Sequence, residues 1–303
     1  MFGAAILLLV GSGRAQETPD LVPAPKVITS MAEFWGLTDA ERAQTHRYRI
    51  ECDVIYYDAV WKNLWIQDAT QGGYVSVGNR KLPIKSGEHI IVTGTFEPPN
   101  RDLSFEHGTV IASSPANIPV LDAGGQLRRS DVLGNRLVSL EAFVVRQYRI
   151  DPDHLQMTLS AEGETITAYV SLDGAQAVPD FSESTIRIRG VYLTKGSDGV
   201  RLLIELRVSG VEDVAVINWL GTDPRFKLPI TPIESLASRQ RQTLVRVAGR
   251  VKGQESGRYL TIRDATGQVD LMTMQDRVFA IDEEVEAIGY PSIEGTAWKL
   301  ESA

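Results

Sequence analysis

The chain has 303 residues, 43% of them hydrophobic and 23% charged, with a net charge of −8. That is enough apolar material for two or three separately cored domains, and the acidic balance argues against a general nucleic-acid binder, whose affinity comes from cations facing phosphates. A single cysteine, Cys52, excludes an internal disulfide and any cysteine-based metal site.

In chain order, residues 1–10 form a short apolar run and Gly13-Arg14-Ala15 follows with small residues at its outer positions. This reads as a secretory signal cut after Ala15, and hence as export to a periplasmic or otherwise extracytoplasmic space. The run is too short to span a bilayer. Residues 16–25 are polar and proline-rich, a linker. Ser30-Met31-Ala32-Glu33 and Thr38-Asp39-Ala40-Glu41 both fit a capping box and predict two short helical turns. From Tyr48 to Val54 apolar and polar residues alternate, the period of a strand with one buried side, and Cys52 on that side reads as an inert buried thiol. Leu64-Trp65-Ile66-Gln67-Asp68-Ala69-Thr70-Gln71-Gly72-Gly73-Tyr74-Val75 then predicts a hairpin. Its corner is held by the Asp68 carboxylate and the Thr70 hydroxyl. Further strands are expected over 89–96 and 105–112.

A second block starts near Leu127, with strands over 137–145, 156–160, 165–170, 185–192 and 201–206, a hairpin at Glu162-Gly163-Glu164, and no Asp-x-Thr corner. A third opens on Thr231-Pro232-Ile233-Glu234, where Thr231 is expected to cap and Pro232 to start a helical turn. Strands at 244–251 and 284–290 flank a second corner, Asp264-Ala265-Thr266-Gly267. Gly94, Gly190 and Gly289 end the matching late strands at intervals of 96 (190 − 94) and 99 (289 − 190) residues, the mark of an internal repeat. Five short strands per block without long helices predict an all-β chain: three tandem OB-like five-stranded Greek-key barrels, each with a short helical lead-in. The modules are expected at 26–114, 120–216 and 226–303, the last incomplete at its C-terminal end.

The pattern resembles the extracytoplasmic N-terminal region of certain bacterial sensor histidine kinases, in which tandem OB-like modules precede a membrane anchor and a kinase. The resembling residues are 50–58, 64–70, 138–144, 245–249, Asp264-Ala265-Thr266-Gly267 and 282–291, within a likeness that runs over about 26–303. The resemblance implies a sensory or partner-binding module of a signal-transduction protein. The chain lacks the phosphoacceptor helix, the ATP box and a membrane span, so the kinase activity of the relatives is not expected here.

A search for chemistry finds no Gly-x-Ser-x-Gly elbow, no P-loop and no dinucleotide fingerprint. His46, His89, His107 and His154 have no metal-ligand spacing. Asp68 and Asp264 recur at one corner of two modules, which a structural role explains and a single active site does not. The chain therefore reads as a non-enzyme without cofactor or metal. What remains is binding on the second and third strands of a barrel. Trp61, Trp65 and Gln67 alternate opposite Leu64 and Ile66 and are the candidate ligand-binding residues, with Tyr57. Asp68, Thr70, Asp264, Thr266 and Gly267 are assigned to structural turns. The expected partner is a small molecule or an envelope protein, with nucleic acid unlikely and a membrane reached only through a downstream anchor. Two alternatives stand beside this reading: a single-strand nucleic-acid binder and a passive envelope scaffold.

Overall fold

A computed structural model describes residues 26–98, 102–162, 164–172, 174, 177–195, 203–239, 243–273, 275, 277–294, 297–301 and 303. The expected signal (1–15) and linker (16–25), together with Gly163 and residues 201–202, lie outside them.

The first sheet holds β1 (Val27–Ile28), β2 (His46–Asp58), β3 (Asn63–Gln67), β4 (Gly72–Ser76), β5 (Glu88–Phe96) and β6 (Thr109–Pro115), with α1 (Met31–Trp35) and α2 (Asp39–Arg42) between β1 and β2. Along β2 residues alternate between buried and exposed from His46 to Asp53, as the period-two pattern requires. The strand order is β4-β3-β2-β5-β6, with β1 parallel to β2. The free edge of β4 is met by the segment ahead of β6: Ser76 bridges in parallel to Ser104, Ser76 N–H donating to Leu103 O at 2.9 Å and Phe105 N–H to Ser76 O at 2.7 Å.

The second sheet holds β7 (Leu121–Asp122), β8 (Leu137–Asp151), β9 (His154–Ala161), β10 (Glu164–Ser171), β11 (Ser184–Lys195), β12 (Leu203–Val208) and β13 (Val214–Trp219), with α3 (Ser130–Leu133) ahead of β8. It closes through the β8–β11 pairing and the parallel pairing of β10 with β12. The third sheet is a closed barrel, β14 (Val245–Glu255), β15 (Tyr259–Arg263), β16 (Gln268–Met272), β18 (Ala297–Glu301) and β17 (Glu284–Glu294) in order around the ring. Its lead-in is a 3-10 turn, Ile233–Ser238. The chain is thus an all-β array of three OB-like barrels.

The repeat holds at the level of register. Gly94 lies opposite Tyr48, Gly190 opposite Val138 and Gly289 opposite Val245, each the late strand crossing the first. At all three a Cβ is crowded: it would stand 2.6 Å from the buried Tyr48 ring at Gly94, 2.8 Å from Arg207 O at Gly190 and 2.8 Å from Glu301 O at Gly289. Each barrel has its own apolar core. Cys52 is in the first, and burial pushes its thiol up, away from the reactive thiolate.

Candidate functional site

The two Asp-x-Thr corners have the same geometry. Asp68 Oδ1 accepts from Thr70 N–H (2.7 Å), Thr70 Oγ1 (2.5 Å) and Gln71 N–H (2.9 Å). Asp264 Oδ1 accepts from Thr266 N–H (2.7 Å), Thr266 Oγ1 (2.7 Å) and Gly267 N–H (2.8 Å). The second oxygen reaches outside the hairpin: Asp68 Oδ2 accepts from Met31 N–H at 2.6 Å and Asp264 Oδ2 from Ile233 N–H at 2.9 Å. The hydroxyls follow, Thr70 Oγ1 accepting from Ala32 N–H at 3.3 Å and Thr266 Oγ1 from Glu234 N–H at 3.2 Å. Each corner therefore caps the orphan amides of its own lead-in turn. This corrects the expected role of Thr231, which is buried and makes no cap, its N–H donating to Arg246 O at 2.7 Å. In the first module Ser30 caps Glu33 N–H as expected, while Glu33 turns to Thr29 instead of closing a box.

The tryptophans are taken up by the junction of modules 1 and 2. Trp65 is 7% exposed and packs with Ile55 and Tyr56 against Leu137 and Val191 of the second barrel, its Nε1 donating to Asn135 Oδ1 at 3.2 Å. Trp61, in the turn between β2 and β3, stacks on His154 with ring centroids 3.7 Å apart. Its Nε1 donates to Asp151 Oδ2 at 3.1 Å. His154 is buried between two carboxylates, Nε2 lying 2.7 Å from Asp58 Oδ2 and Nδ1 2.7 Å from Asp151 Oδ1. Tyr56 also donates to Asp58 Oδ2, at 3.2 Å. Tyr57 is half-buried inside module 1, its hydroxyl accepting from Leu82 N–H at 2.8 Å. Gln67 ends β3, half-buried, opposite Asp53 and Gly72. Of the four expected ligand residues the structure brings Trp61 and Trp65 together at the junction, and leaves Tyr57 and Gln67 apart from it.

Docking covers the outer face of β3 in module 1. On the matching face of module 2 the β8 edge is exposed, while Thr158 and Glu205 are buried and the Arg207 side chain is 13% exposed. Register puts Tyr148, Gln156, Tyr169 and Arg207 in one row across β8, β9, β10 and β12, and directly opposite residues share a face. Arg146, Thr158, Thr167 and Glu205 form the next row. Tyr148 is 44% exposed and Arg146 is exposed. The Arg207 guanidinium lies 4.4 Å over the Tyr169 ring and 5.4 Å from that of Trp61, with Nη2 donating to Glu205 at 3.1 Å. Its Nε is buried with no partner. Lys195 pairs with the other Glu205 oxygen at 2.5 Å, so two cations stand around this one buried carboxylate. Trp61 of the neighbouring module lies against Tyr169 and Arg207, so the aromatic and guanidinium row is covered at that end and exposed at Tyr148. Sequence reading missed Tyr148, Tyr169 and Arg207, although the alternation that set Trp65 outward also sets Tyr169 outward with Thr165 and Thr167. Among the described residues no cluster of three or more His, Cys, Asp or Glu is placed to hold a metal.

No protein-family model and no curated protein matches the sequence. Among solved structures the chain is similar to a murine DNA-binding protein bound with double-stranded DNA, at 14% identity over 55% of this chain and 90% of that one, TM-score 0.22. It is similar to p202 HIN1 in complex with a 12-mer double-stranded DNA, at 12% identity over 55% and 88%, TM-score 0.23. Entamoeba histolytica asparaginyl-tRNA synthetase follows at 11% identity over 42% of this chain, TM-score 0.25; the match spans 27% of that chain, about a quarter of its length. The expectations of a sensory module and of "nucleic acid unlikely" are corrected here, since two of these three solved proteins hold duplex DNA. Net charge averages three modules and says nothing of one face.

Proposed function

We propose that the chain is a nucleic-acid-binding array of OB-like barrels, acting by binding and not by catalysis. Its interface is the Tyr148 face of module 2. The observation that supports this is the row Tyr148, Gln156, Tyr169 and Arg207 with Arg146 beside it, on the strands where OB barrels take oligonucleotides. Exposed Tyr148 offers a ring for a base to stack on, which favours single strands, whose bases are free. Arg146, exposed beside it, adds a positive charge to that face. Few cations face the site, so binding is modest and its salt dependence shallow, with a slope near −0.7 per phosphate contacted.

The test is fluorescence anisotropy of labelled oligothymidylate, with a 12-base-pair duplex as competitor, at low and at physiological salt. The expected result is saturable single-strand binding that Tyr148→Ala weakens about tenfold, in line with about 1–3 kcal/mol for one stacked base. Arg146→Ala should lower the salt slope by about 0.7. No binding at low salt, or binding untouched by either substitution, sinks the reading.

A further inference from the structure

Module 2 holds the ring of Trp61 in a cage of its own residues. His154 stacks on the indole, with ring centroids 3.7 Å apart and planes at 17°. Tyr169 meets it edge-on at 5.5 Å and 73°. The Arg207 guanidinium stands 5.4 Å from it and 4.4 Å over Tyr169. At the rim Asp151 Oδ2 accepts from the indole Nε1 at 3.1 Å. β8 ends on Asp151, β9 begins at His154, Tyr169 is on β10 and Arg207 on β12. The cage shares the face that carries Tyr148: His154 is two residues from Gln156 along β9, hence on its side of the sheet, and Gln156 lies opposite Tyr148.

Module 1 supplies only the ring and the turn that presents it. Val60 and Trp61 N–H donate to Asp58 Oδ1 at 2.8 and 3.0 Å. Lys62 follows in the left-handed region, φ 59°, which a residue with a side chain enters rarely. The fit to indole says what else the cage accepts. It takes a flat bicyclic ring with an N–H donor on its rim, because a carboxylate only accepts. Guanine is such a ring, and its N1–H and N2 amino group stand side by side, matching the two oxygens of a carboxylate. The pairing edges of thymine, cytosine and adenine each set an acceptor next to the donor. Guanine also brings the acceptors O6 and N7, the usual targets of arginine. Indole has neither, and Arg207 Nε is buried beside it with no partner.

We infer that the cage of Asp151, His154, Tyr169 and Arg207 is a site for a guanine base, which Trp61 of module 1 closes from within the chain. The inference rests on the nucleic-acid reading and deepens it, since a strand stacked on Tyr148 brings its next bases to the same face. A ring held in the same chain stands at an effective concentration on the order of millimolar. It therefore keeps bases out until module 1 draws it away.

Two labelled strands, oligothymidylate and the same strand with one central guanine, are titrated into the full chain and followed by anisotropy. Wild type should bind both alike. Trp61→Ala should bind the guanine strand about tenfold more tightly than wild type does, and about tenfold more tightly than it binds oligothymidylate, the effect of one stacked base. Trp61→Phe keeps a ring in the cage and should bind both alike. Adding Asp151→Asn to W61A should remove the preference, because an amide has one acceptor oxygen where a carboxylate has two. In W61A the Trp65 patch and the Asp58–His154 bond still hold the junction. Should W61A be unfolded nonetheless, guanosine monophosphate must restore its folded signal and thymidine monophosphate must not. If wild type binds neither strand, the nucleic-acid reading falls and the cage with it. If wild type binds but W61A shows no guanine preference, or W61F shows as much as W61A, or the rescue fails, the cage alone is overturned.

Discussion

At the scale of single residues, the corner aspartates do the most. Burial raises the pKa of Asp68, but the Met31 amide, the Thr70 hydroxyl and the amides of Gln71 and Thr70 together hold it below its ordinary 3.8. Asp264 is held down in the same way, burial opposed by the Ile233 amide and the Thr266 and Gly267 donors. A carboxylate whose folded pKa is depressed stabilises the fold fully above its unfolded value, and that contribution is lost as pH falls through the folded one. Wild type should therefore lose stability in urea titrations as the pH drops below about 4, where unfolded aspartate protonates. A double variant, Asp68→Asn with Asp264→Asn, should lose less over the same range. At neutral pH, Asp264→Ala alone should cost about 1–2 kcal/mol, the upper part of the range for a lost helix cap. His89 behaves oppositely. Its bond to Asp53 raises its pKa above the ordinary 6.5, burial opposes, and Glu51 adds to the rise. Its contribution is whole below 6.5 and fades as pH climbs through the folded value. An NMR titration should place the His89 midpoint above 6.5, and Asp53→Asn should bring it down.

At the scale of elements, the corner is a coupling device. One carboxylate turns a hairpin and caps a lead-in that is otherwise too short to hold itself, since an isolated turn pays the whole nucleation cost. Module 2 solves the problem differently: its hairpin offers Glu162 Oε1 to Gly125 N–H at 2.5 Å, and Glu164 pairs with Arg128 at 2.6 Å. The late-strand glycines are a second device. Gly190→Ala and Gly289→Ala would each press a methyl onto a backbone carbonyl 2.8 Å away, which no rotamer change relieves. Each should cost about 1–3 kcal/mol, as overpacking does, read as a fall in melting temperature.

At the scale of the whole molecule, modules 1 and 2 are joined by an apolar patch around Trp65 and a polar one around His154. Trp65→Ala should cost about 3–5 kcal/mol, the usual range for a buried tryptophan. It should also split the calorimetric unfolding of the first two barrels into two transitions, because the apolar half of their contact is gone. A single sharp transition at a lower temperature would mean that the His154 network alone holds them.

What the amino-acid sequence determined by itself was local. Alternation along β2 and β14, the Asp-x-Thr corners, the capping signals near Ser30 and Thr38 and the spacing of three glycines all act within a few residues or within one strand pair, and they sufficed for an all-β array of three repeated barrels. Period two says that Trp65 leaves its own core; it does not say whether solvent or another barrel waits there. Only the tertiary structure decided that Trp61 and Trp65 close a junction, that Tyr148, Tyr169 and Arg207 share one face of module 2, and that Asp264 rather than Thr231 caps the third lead-in. Each of those facts joins residues at least 20 positions apart, and such pairings depend on how barrels register and pack, which no local pattern encodes.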